Sequence, residues 1–600
     1  MSPKHLLVAI LLFFCLHLAH SQIDRPSGIN LTWINYYSTE FVFTDMFKQS
    51  RELVVHNQGS NNPWNTGLTI PLNENGYPIE IPYNDGVNPP QTARAILYTN
   101  SQNHYPTGMY RLVVSGSGQV RLWGSANGTY QTPIDVLVPV NDNSDRIIIE
   151  IDESLAEDPI TDIKFILPDY VNTYQTQQFT NEILSFLSDF QSIRFMDWLE
   201  TNDSDNINWS ERTSENYFTQ TKNTGVAWEY VIDLCNASQK DAWINIPHLA
   251  NDDYIHQLAL LFRDHLDPNL KVYLEYSNEI WNYSFSQFNE VAALGEAIGY
   301  TGQDGEQARK YTAKRSADIF YEFETAFGSD DRLVKVIPGR AAGGNTSNSI
   351  LQYFNDAFYN PNQVTADALA IAPYFGNGVG NYIADNGLTE SITIPEIIEL
   401  MEDALLVAYE RMDVNKTVAD NFGLELMSYE AGQHLVASGS NTNNDVLTAK
   451  LIETNRAEAI GDMYCDYFDY WYDITQGGLM SIFSSHTLPN RYGSWGIKER
   501  MDDVNNPKYE ALVNCIFDYN SLSVEDFDEF NITIYPNPTS TFFTIKSMNV
   551  INKTEIFDLH GKLILSTDKE KIDVDGFKSG VYILKIYTDN RYSIKKVIVH

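Results

Sequence analysis

Basic residues and long apolar runs are scarce in this sequence of 600 residues. Only 40 Lys and Arg stand against 79 Asp and Glu, and the formal net charge of −39 argues against nucleic acid or an anionic membrane surface as the general partner. After the N-terminal residues, no apolar run approaches the roughly 18 residues that a membrane-spanning helix needs. We therefore expect no membrane span.

Cysteines are also few, at four in the whole chain. Cys15 lies in the N-terminal apolar run, and Cys235, Cys465 and Cys515 allow at most one disulfide bond among them. Their spacing forms no paired metal-ligand motif. We expect no metal site and no cofactor, and a stability that comes from the apolar core.

What the sequence does contain is typical of a globular protein, with 43% hydrophobic, 13% aromatic and 20% charged residues. Its 600 residues leave room for about three or four domains. Charge is uneven, because residues 531–600 hold ten Lys and Arg against seven Asp and Glu. That segment has a net charge of +3, which leaves −42 for the rest of the chain.

Residues 1–21 have the pattern of a secretory signal peptide. Lys4 precedes an apolar run from Leu6 to Leu16, and Ala19 and Ser21 occupy the −3 and −1 positions of a cleavage site. We therefore expect the chain to be exported.

Two kinds of pattern divide the chain that follows. Residues 66–168 contain short β-prone runs separated by turn residues, which predicts a β-sandwich. In residues 169–518, apolar strands alternate with amphipathic helices, which is typical of an α/β fold. Seven apolar strands begin there, near residues 191, 242, 271, 332, 369, 424 and 479.

An eighth strand is available at Gly28 to Trp33, within residues 22–65. Eight strands, each followed by a helix, predict a (β/α)8 TIM barrel with the sandwich inserted after its first strand. An independent N-terminal sandwich followed by an irregular barrel is the alternative. An acidic linker at residues 519–530 precedes a small all-β C-terminal domain at residues 531–600.

Two glutamates follow predicted barrel strands, and the chemistry of a TIM barrel lies where its strands end. One strand ends in Asn278 and Glu279, and another ends in Glu430. Glycosidic cleavage needs one acid to protonate the leaving oxygen and one carboxylate on the opposite side of the sugar. The pair favours glycoside hydrolysis; a carboxylate at a helix start and a structural ion pair with Arg194 are the alternatives.

This arrangement resembles the clan-A superfamily of retaining glycoside hydrolases, over roughly Gly28 to Asp518. The resemblance implies that Glu279 is the acid/base and Glu430 the nucleophile. It also implies supporting roles for several side chains: Arg194 would hold Glu430 ionised, Asn278 would bond the sugar 2-hydroxyl, Tyr374 would contact the nucleophile, and His248, with Trp495 or His486, would complete the −1 subsite.

The eighth predicted strand departs from the superfamily's pattern. It ends in Ser-Ser-His, and no platform tryptophan follows immediately, so Trp495 is carried over in that place. Glu275, in the same strand as Glu279, points either into the barrel or to a helix. Three further tryptophans can stack on sugar rings or pack in the core: Trp198, Trp228 and Trp281.

The C-terminal residues resemble the sorting domain of type IX secretion substrates. The resemblance is carried by Tyr535 to Pro538 (YPNP), by Gly580 to Tyr582 (GVY) and by Lys595 and Lys596. It implies that the type IX secretion machinery exports the chain through the periplasm, to be secreted or held at the cell surface. A generic β-sandwich or a carbohydrate-binding module is the alternative interpretation.

These features together predict a secreted glycoside hydrolase that cleaves a polysaccharide or oligosaccharide by a retaining double displacement with two glutamates. A non-catalytic carbohydrate-binding or adhesive surface protein is the alternative, since a barrel can lose its acids and a sandwich can bind glycans. A metal-dependent lyase or hydrolase is disfavoured, because the sequence lacks a His-rich ligand spacing.

Overall fold

The computed structural model describes residues 25–99, 105–519, 533–547, 551–558, 562–588 and 591–600. The chain divides into two compact units, Met1–Tyr519 and Asn520–His600. The predicted signal peptide, and the predicted linker after Tyr519, lie outside the described residues. No helix in the described ranges is both long and apolar enough to cross a membrane.

Eight parallel strands close into a barrel in the first unit, which confirms the predicted fold class. β1 (Ser27–Asn30) pairs with both β14 (Met480–Phe483) and β8 (Ser192–Arg194). The other strands follow in chain order: β9 (Asp241–Ile246), β10 (Val272–Tyr276), β11 (Leu333–Pro338), β12 (Ala368–Ile371) and β13 (Glu425–Ala431). Each overlaps the apolar run that predicts it.

An antiparallel sheet occupies the chain between β1 and β8, so it is an insertion into the barrel. Its strands are β2 (Val54–Asn57), β3 (Gln91–Thr99), β4 (Gly108–Gly124), β5 (Gly128–Val140), β6 (Arg146–Ser154) and β7 (Thr161–Ile166). The long strand β4 pairs with β7 in its first half and with β6 in its second half. Alternate β4 residues, including Tyr110, Leu112, Val120 and Leu122, are buried in a core separate from that of the barrel.

Helices follow most barrel strands. They are α1 (Asn181–Leu187), α2 (Trp228–Ser238), α3 (Asp252–His265), α4 (Ser286–Ala297), α5 (Asp304–Phe327), α6 (Asn345–Phe354), α7 (Val379–Asp385), α8 (Ile394–Phe422), α9 (Asp445–Asn455), α10 (Glu458–Asp469) and α11 (Pro507–Leu512). In α3, the Asn251 side chain caps the first turn by accepting from the Tyr254 N–H. Ile255, Leu258 and Phe262 recur at helical spacing and are buried against the barrel core.

One disulfide bond forms, between Cys465 on α10 and Cys515 in the π-helical turn Val513–Phe517 that follows α11. It closes a loop with a sequence separation of 50 residues. Cys235 on α2 is buried and free. The single bond that three cysteines permit therefore connects the last two helices of the barrel unit.

The second unit is all β, as predicted. A three-stranded sheet contains β15 (Thr533–Tyr535), β16 (Phe542–Lys546) and β19 (Lys571–Asp573), and a four-stranded sheet contains β17 (Lys553–Asp558), β18 (Leu563–Thr567), β20 (Gly580–Thr588) and β21 (Arg591–Val599). Phe543, Leu584 and Val597 are fully buried between them. Asn537 of the YPNP motif donates to the Lys596 carbonyl and accepts from the Ile598 N–H, which fixes this segment to β21.

Candidate active site

The segments that follow the barrel strands surround a cavity of about 1210 Å³. Six of the predicted site residues line it: Asn278, Glu279, Tyr374, Glu430, His486 and Trp495. Arg194 lies behind this surface and contacts two of them, Asn278 and Glu430. His248 lies elsewhere. The barrel thus brings together residues that are up to 301 positions apart in sequence, from Arg194 to Trp495.

Arg194, the last residue of β8, is fully buried and uses all its N–H groups. Its Nε and Nη2 donate to the two carboxylate oxygens of Glu275, at 2.9 and 3.1 Å. Nη1 donates to Asn30 Oδ1 at 2.9 Å and to Glu430 Oε1 at 3.0 Å, and Nη2 also donates to Asn278 Oδ1 at 3.0 Å. Burial opposes the charged form, but the charges of Glu275 and Glu430 outweigh it and raise the pKa of Arg194. One guanidinium therefore serves two buried carboxylates.

Glu430 lies near the end of β13 and is only 6% exposed. Arg194 donates to its Oε1, and the Tyr374 hydroxyl donates to its Oε2 at 3.0 Å. Burial raises the pKa of Glu430, whereas the charge of Arg194 and these two hydrogen bonds act in the opposite direction. Both oxygens of this carboxylate are thus held by donors that favour its ionised form.

Glu279 follows β10 and receives a hydrogen bond at Oε2 from Asn282 Nδ2, at 2.8 Å. Burial, and next the charge of Glu430, raise the pKa of Glu279 to about 8. Because the charge of Glu430 is itself a cause of this rise, the two carboxyl groups titrate as a coupled pair.

The backbone at the end of β10 is unusual, since Ser277 and Glu279 have φ angles of +59° and +43°. L-residues rarely adopt this left-handed conformation. Local hydrogen bonds hold it: the Ser277 N–H donates to the Ile246 carbonyl at 2.9 Å, and Asn245 Nδ2 donates to the Ser277 carbonyl at 2.8 Å. Strain of this kind persists where neighbouring structure fixes it.

His486 and Trp495 form the wall that follows β14. His486 is buried, and its Nδ1 lies 3.0 Å from Glu40 Oε2. The Trp495 ring centroid lies 5.9 Å from that of Tyr374 and 5.0 Å from that of His434. Trp281 also lines the cavity, whereas Trp198 and Trp228 are buried in the barrel core.

His248 does not line the cavity. It is buried, its Nε2 lies 2.6 Å from Glu290 Oε2, and its carbonyl accepts from the Tyr276 hydroxyl. No residue between Asn245 and His248 is part of the cavity lining. The prediction that places His248 in the −1 subsite is therefore not supported by its position.

Two further residues belong to the site: Glu275, whose direction was open from the sequence, and Asp197, which was not predicted. Glu275 points into the barrel, where it pairs with Arg194 and accepts from Trp243 Nε1 at 2.8 Å. Asp197 lines the cavity at 2% exposure, and neither of its carboxyl oxygens has a hydrogen-bond partner in the described ranges. Burial, and then the charge of Glu430, raise the pKa of Asp197 well above its usual range. Its position three residues after Arg194, near a predicted strand end, is the signal that could have found it.

The first unit is thus a (β/α)8 barrel with two glutamates in the cavity at its carboxyl-terminal face. Residues 533–600 of the second unit match a known family, described as "Secretion system C-terminal sorting domain". This match confirms the predicted sorting domain, and with it export by type IX secretion to the cell surface or the extracellular space.

Likeness to other proteins is short or distant. An ulvan lyase from Nonlabens ulvanivorans is 36% identical over 87 residues, which are 13% of this chain and only 16% of that protein. An FMN-binding β-glucuronidase from Facaelibacterium prausnitzii L2-6 is 11% identical, with 85% of this chain and 72% of that chain covered and a TM-score of 0.27. An endo-β-1,4-mannanase from Thermotoga petrophila is 10% identical, with 70% and 93% covered and a TM-score of 0.30.

Proposed function

We propose that this protein is a secreted glycoside hydrolase that cleaves a polysaccharide or oligosaccharide by a retaining double displacement. The observation that carries the proposal is the contrast between the two glutamates of one cavity. Arg194 and Tyr374 donate to both oxygens of Glu430, whereas Glu279 has a raised pKa and accepts from Asn282. These surroundings suit a carboxylate nucleophile and a carboxylic acid.

In the first step, Glu430 attacks the anomeric carbon while Glu279 protonates the departing glycosidic oxygen, so a glycosyl ester forms on Glu430 and an alcohol leaves. The ester carries no charge, so the repulsion that raises the pKa of Glu279 disappears. Glu279, now ionised, takes a proton from water as that water attacks the anomeric carbon and releases Glu430. Two inversions retain the configuration, and this mechanism requires carboxyl groups about 5 to 5.5 Å apart.

Neighbouring side chains would position the sugar. Asn278 Oδ1 accepts from Arg194, which fixes the amide so that Nδ2 points away from the guanidinium. Nδ2 donates to Asn202 Oδ1 at 3.1 Å, and its second hydrogen would serve the sugar 2-hydroxyl. Trp495 and Trp281 offer flat apolar faces to the sugar rings.

The test is to incubate the purified chain with a panel of plant and algal polysaccharides, to measure new reducing ends, and to follow the anomer released first by NMR. We expect cleavage of one polysaccharide class with retained configuration. An inverted first product would overturn the double displacement, and an unsaturated product would indicate a lyase. Binding without cleavage across the panel would favour the adhesive alternative.

A further inference from the structure

Two arginines that line the cavity form no ion pair among the described residues. Arg340 follows β11, Arg411 lies on α8, and both line the cavity. In the part of the chain that the structure describes, neither guanidinium makes an ion pair or donates a hydrogen bond. Arg340 is exposed and Arg411 is half-buried, and Glu410, next to Arg411 in sequence, acts on Arg411 through its charge without forming an ion pair with it in the described residues.

The positive charges of these arginines repel each other when no anion is bound between them. Burial, and next the charge of Arg340, lower the pKa of Arg411, which shows that the two guanidiniums lie close enough to repel each other. Arg411 also lowers the pKa of His434, beyond the larger effect of burial, and His434 Nδ1 is buried without a partner among the described residues. An anion placed here would offset the repulsion and supply an acceptor.

Ring contacts connect these arginines and His434 to neighbours of both glutamates. The Arg340 guanidinium lies over the Trp281 ring, 5.4 Å from its centroid, and Trp281 is two residues after Glu279. At the other end, the His434 ring lies 5.5 Å from that of Tyr374, which donates to Glu430. A group bound by the arginines would therefore belong to a sugar at or next to the bond that is cleaved.

Acidic residues also line this cavity. Asp197 and Glu200 line it, and burial is the main cause that raises the pKa of both, for Glu200 to about 7. Their repulsion of an anionic ligand is weakened accordingly near neutral pH. The cavity thus contains both cationic groups and carboxyl groups that can bond sugar hydroxyls.

We propose that Arg340 and Arg411, with His434 beside them, form a subsite for an anionic substituent of the glycan, either a sulfate ester or a uronate carboxylate. Planar guanidinium groups bind such oxyanions through paired hydrogen bonds. This inference rests on the proposed function, because it names the substrate class of the same cavity.

The test measures binding apart from cleavage, by calorimetry or affinity electrophoresis in a Glu279→Gln background. Two matched pairs of polymers serve as probes: a sulfated polysaccharide with its desulfated form, and a uronate-rich polysaccharide with its carboxyl-reduced form. We expect the anionic member of one pair to bind about tenfold more tightly, and the pair that shows this difference identifies the substituent. Raising the salt concentration should reduce the difference.

Variants assign the effect to these arginines. Arg340→Ala combined with Arg411→Ala should bring the anionic polymer down to the affinity of its neutral form, and Arg411→Lys should retain part of the preference. Arg263→Ala, on the surface of α3 where Arg263 pairs with Asp264, is the charge-matched control and should retain all of it. Equal binding of both members in both pairs, or a preference that survives the double substitution, would overturn the subsite.

Cleavage by the unsubstituted chain separates the two proposals. Charge-dependent binding through these arginines without cleavage of any polymer would support the anionic subsite and contradict the proposal of a glycoside hydrolase. Cleavage of neutral polymers without any charge preference would support the hydrolase proposal and contradict the anionic subsite. Thermal melting of each variant checks folding, and we expect little change, because neither arginine has a described polar partner to lose.

Discussion

The ends of β10 and β13 each place a glutamate in the same cavity, but the two glutamates have different hydrogen-bond partners. Glu430 is held by residues from other strands, namely Arg194 at the end of β8 and Tyr374 after β12. Glu279 is held by Asn282, three residues further along the chain. Identical side chains thus acquire different proton affinities from their neighbours, which is how one site can hold an acid and a carboxylate at the same pH.

The largest expected effects come from Glu430→Gln and Glu279→Gln, each of which should lower kcat by several orders of magnitude. The roles of the two glutamates can be distinguished with a substrate whose leaving group departs without protonation, such as a dinitrophenyl glycoside. Glu279→Ala should still form the glycosyl ester from it, because only the nucleophile is needed. Stopped-flow release of dinitrophenol measures this step. Equal loss in both variants on this substrate would remove the distinction between the two residues.

Arg194→Lys tests the shared guanidinium. A lysine ammonium has three donors and cannot replace the contacts to Glu275 and Glu430 together. Leaving buried charges uncompensated costs about 3–5 kcal/mol, so we expect a loss of that order in the free energy of unfolding as well as a large loss of kcat. Urea denaturation measures the first. Arg263→Lys on the surface of α3 is the control, and similar stability for both variants would contradict the prediction.

Tyr374→Phe removes one of the two donors to Glu430 and leaves the ring in place. A hydrogen bond to a charged group contributes about 1.5–3 kcal/mol, so kcat/KM should fall roughly 10- to 100-fold, less than for Arg194. The pKa of Glu430 should rise, since its ionised form loses a donor, and the acid limb of the pH profile should move upward. Tyr382→Phe on α7, where the side chain is 51% exposed, should change neither quantity.

The smallest effect is a pH dependence set by Glu279. Its pKa is raised to about 8, so the protonated acid persists at neutral pH and is lost as the pH rises through that value. We expect kcat/KM to fall about tenfold per pH unit above the pKa of Glu279. Glu279→Gln should remove this alkaline limb from the residual activity. A profile that stays flat well above pH 8 in the unsubstituted chain would assign the acid to another group.

Much of the architecture follows from local sequence. The eight barrel strands lie in short apolar runs, and the sorting domain is visible in Tyr535 to Pro538 and in Gly580 to Tyr582, because both kinds of signal depend on neighbouring residues. Asn278 with Glu279, and Glu430, are placed in the cavity by the same reasoning, since parallel strands end at one face. Their catalytic roles remain predictions.

The structure departs from the sequence interpretation where the direction of a side chain matters. His248 follows a strand as expected but contacts Glu290 and does not line the cavity, whereas Glu275 adopts the inward one of its two expected directions and shares Arg194 with Glu430. The arginines at 340 and 411 come from separate elements, so no sequence motif marks their proximity.

The sequence by itself determined a β/α barrel interrupted by a β-sheet, two glutamates at strand ends, and an export domain of opposite net charge, +3 against −42 for the rest. Only the tertiary structure decided which glutamate accepts hydrogen bonds from Arg194 and Tyr374, which residues share Arg194, and which two arginines line the cavity without an ion pair in the described residues. The physical reason is the distance in sequence over which each kind of interaction acts. Strand and turn preferences act between residues close in sequence, whereas burial and charge interactions depend on distances that exist only once the barrel has closed.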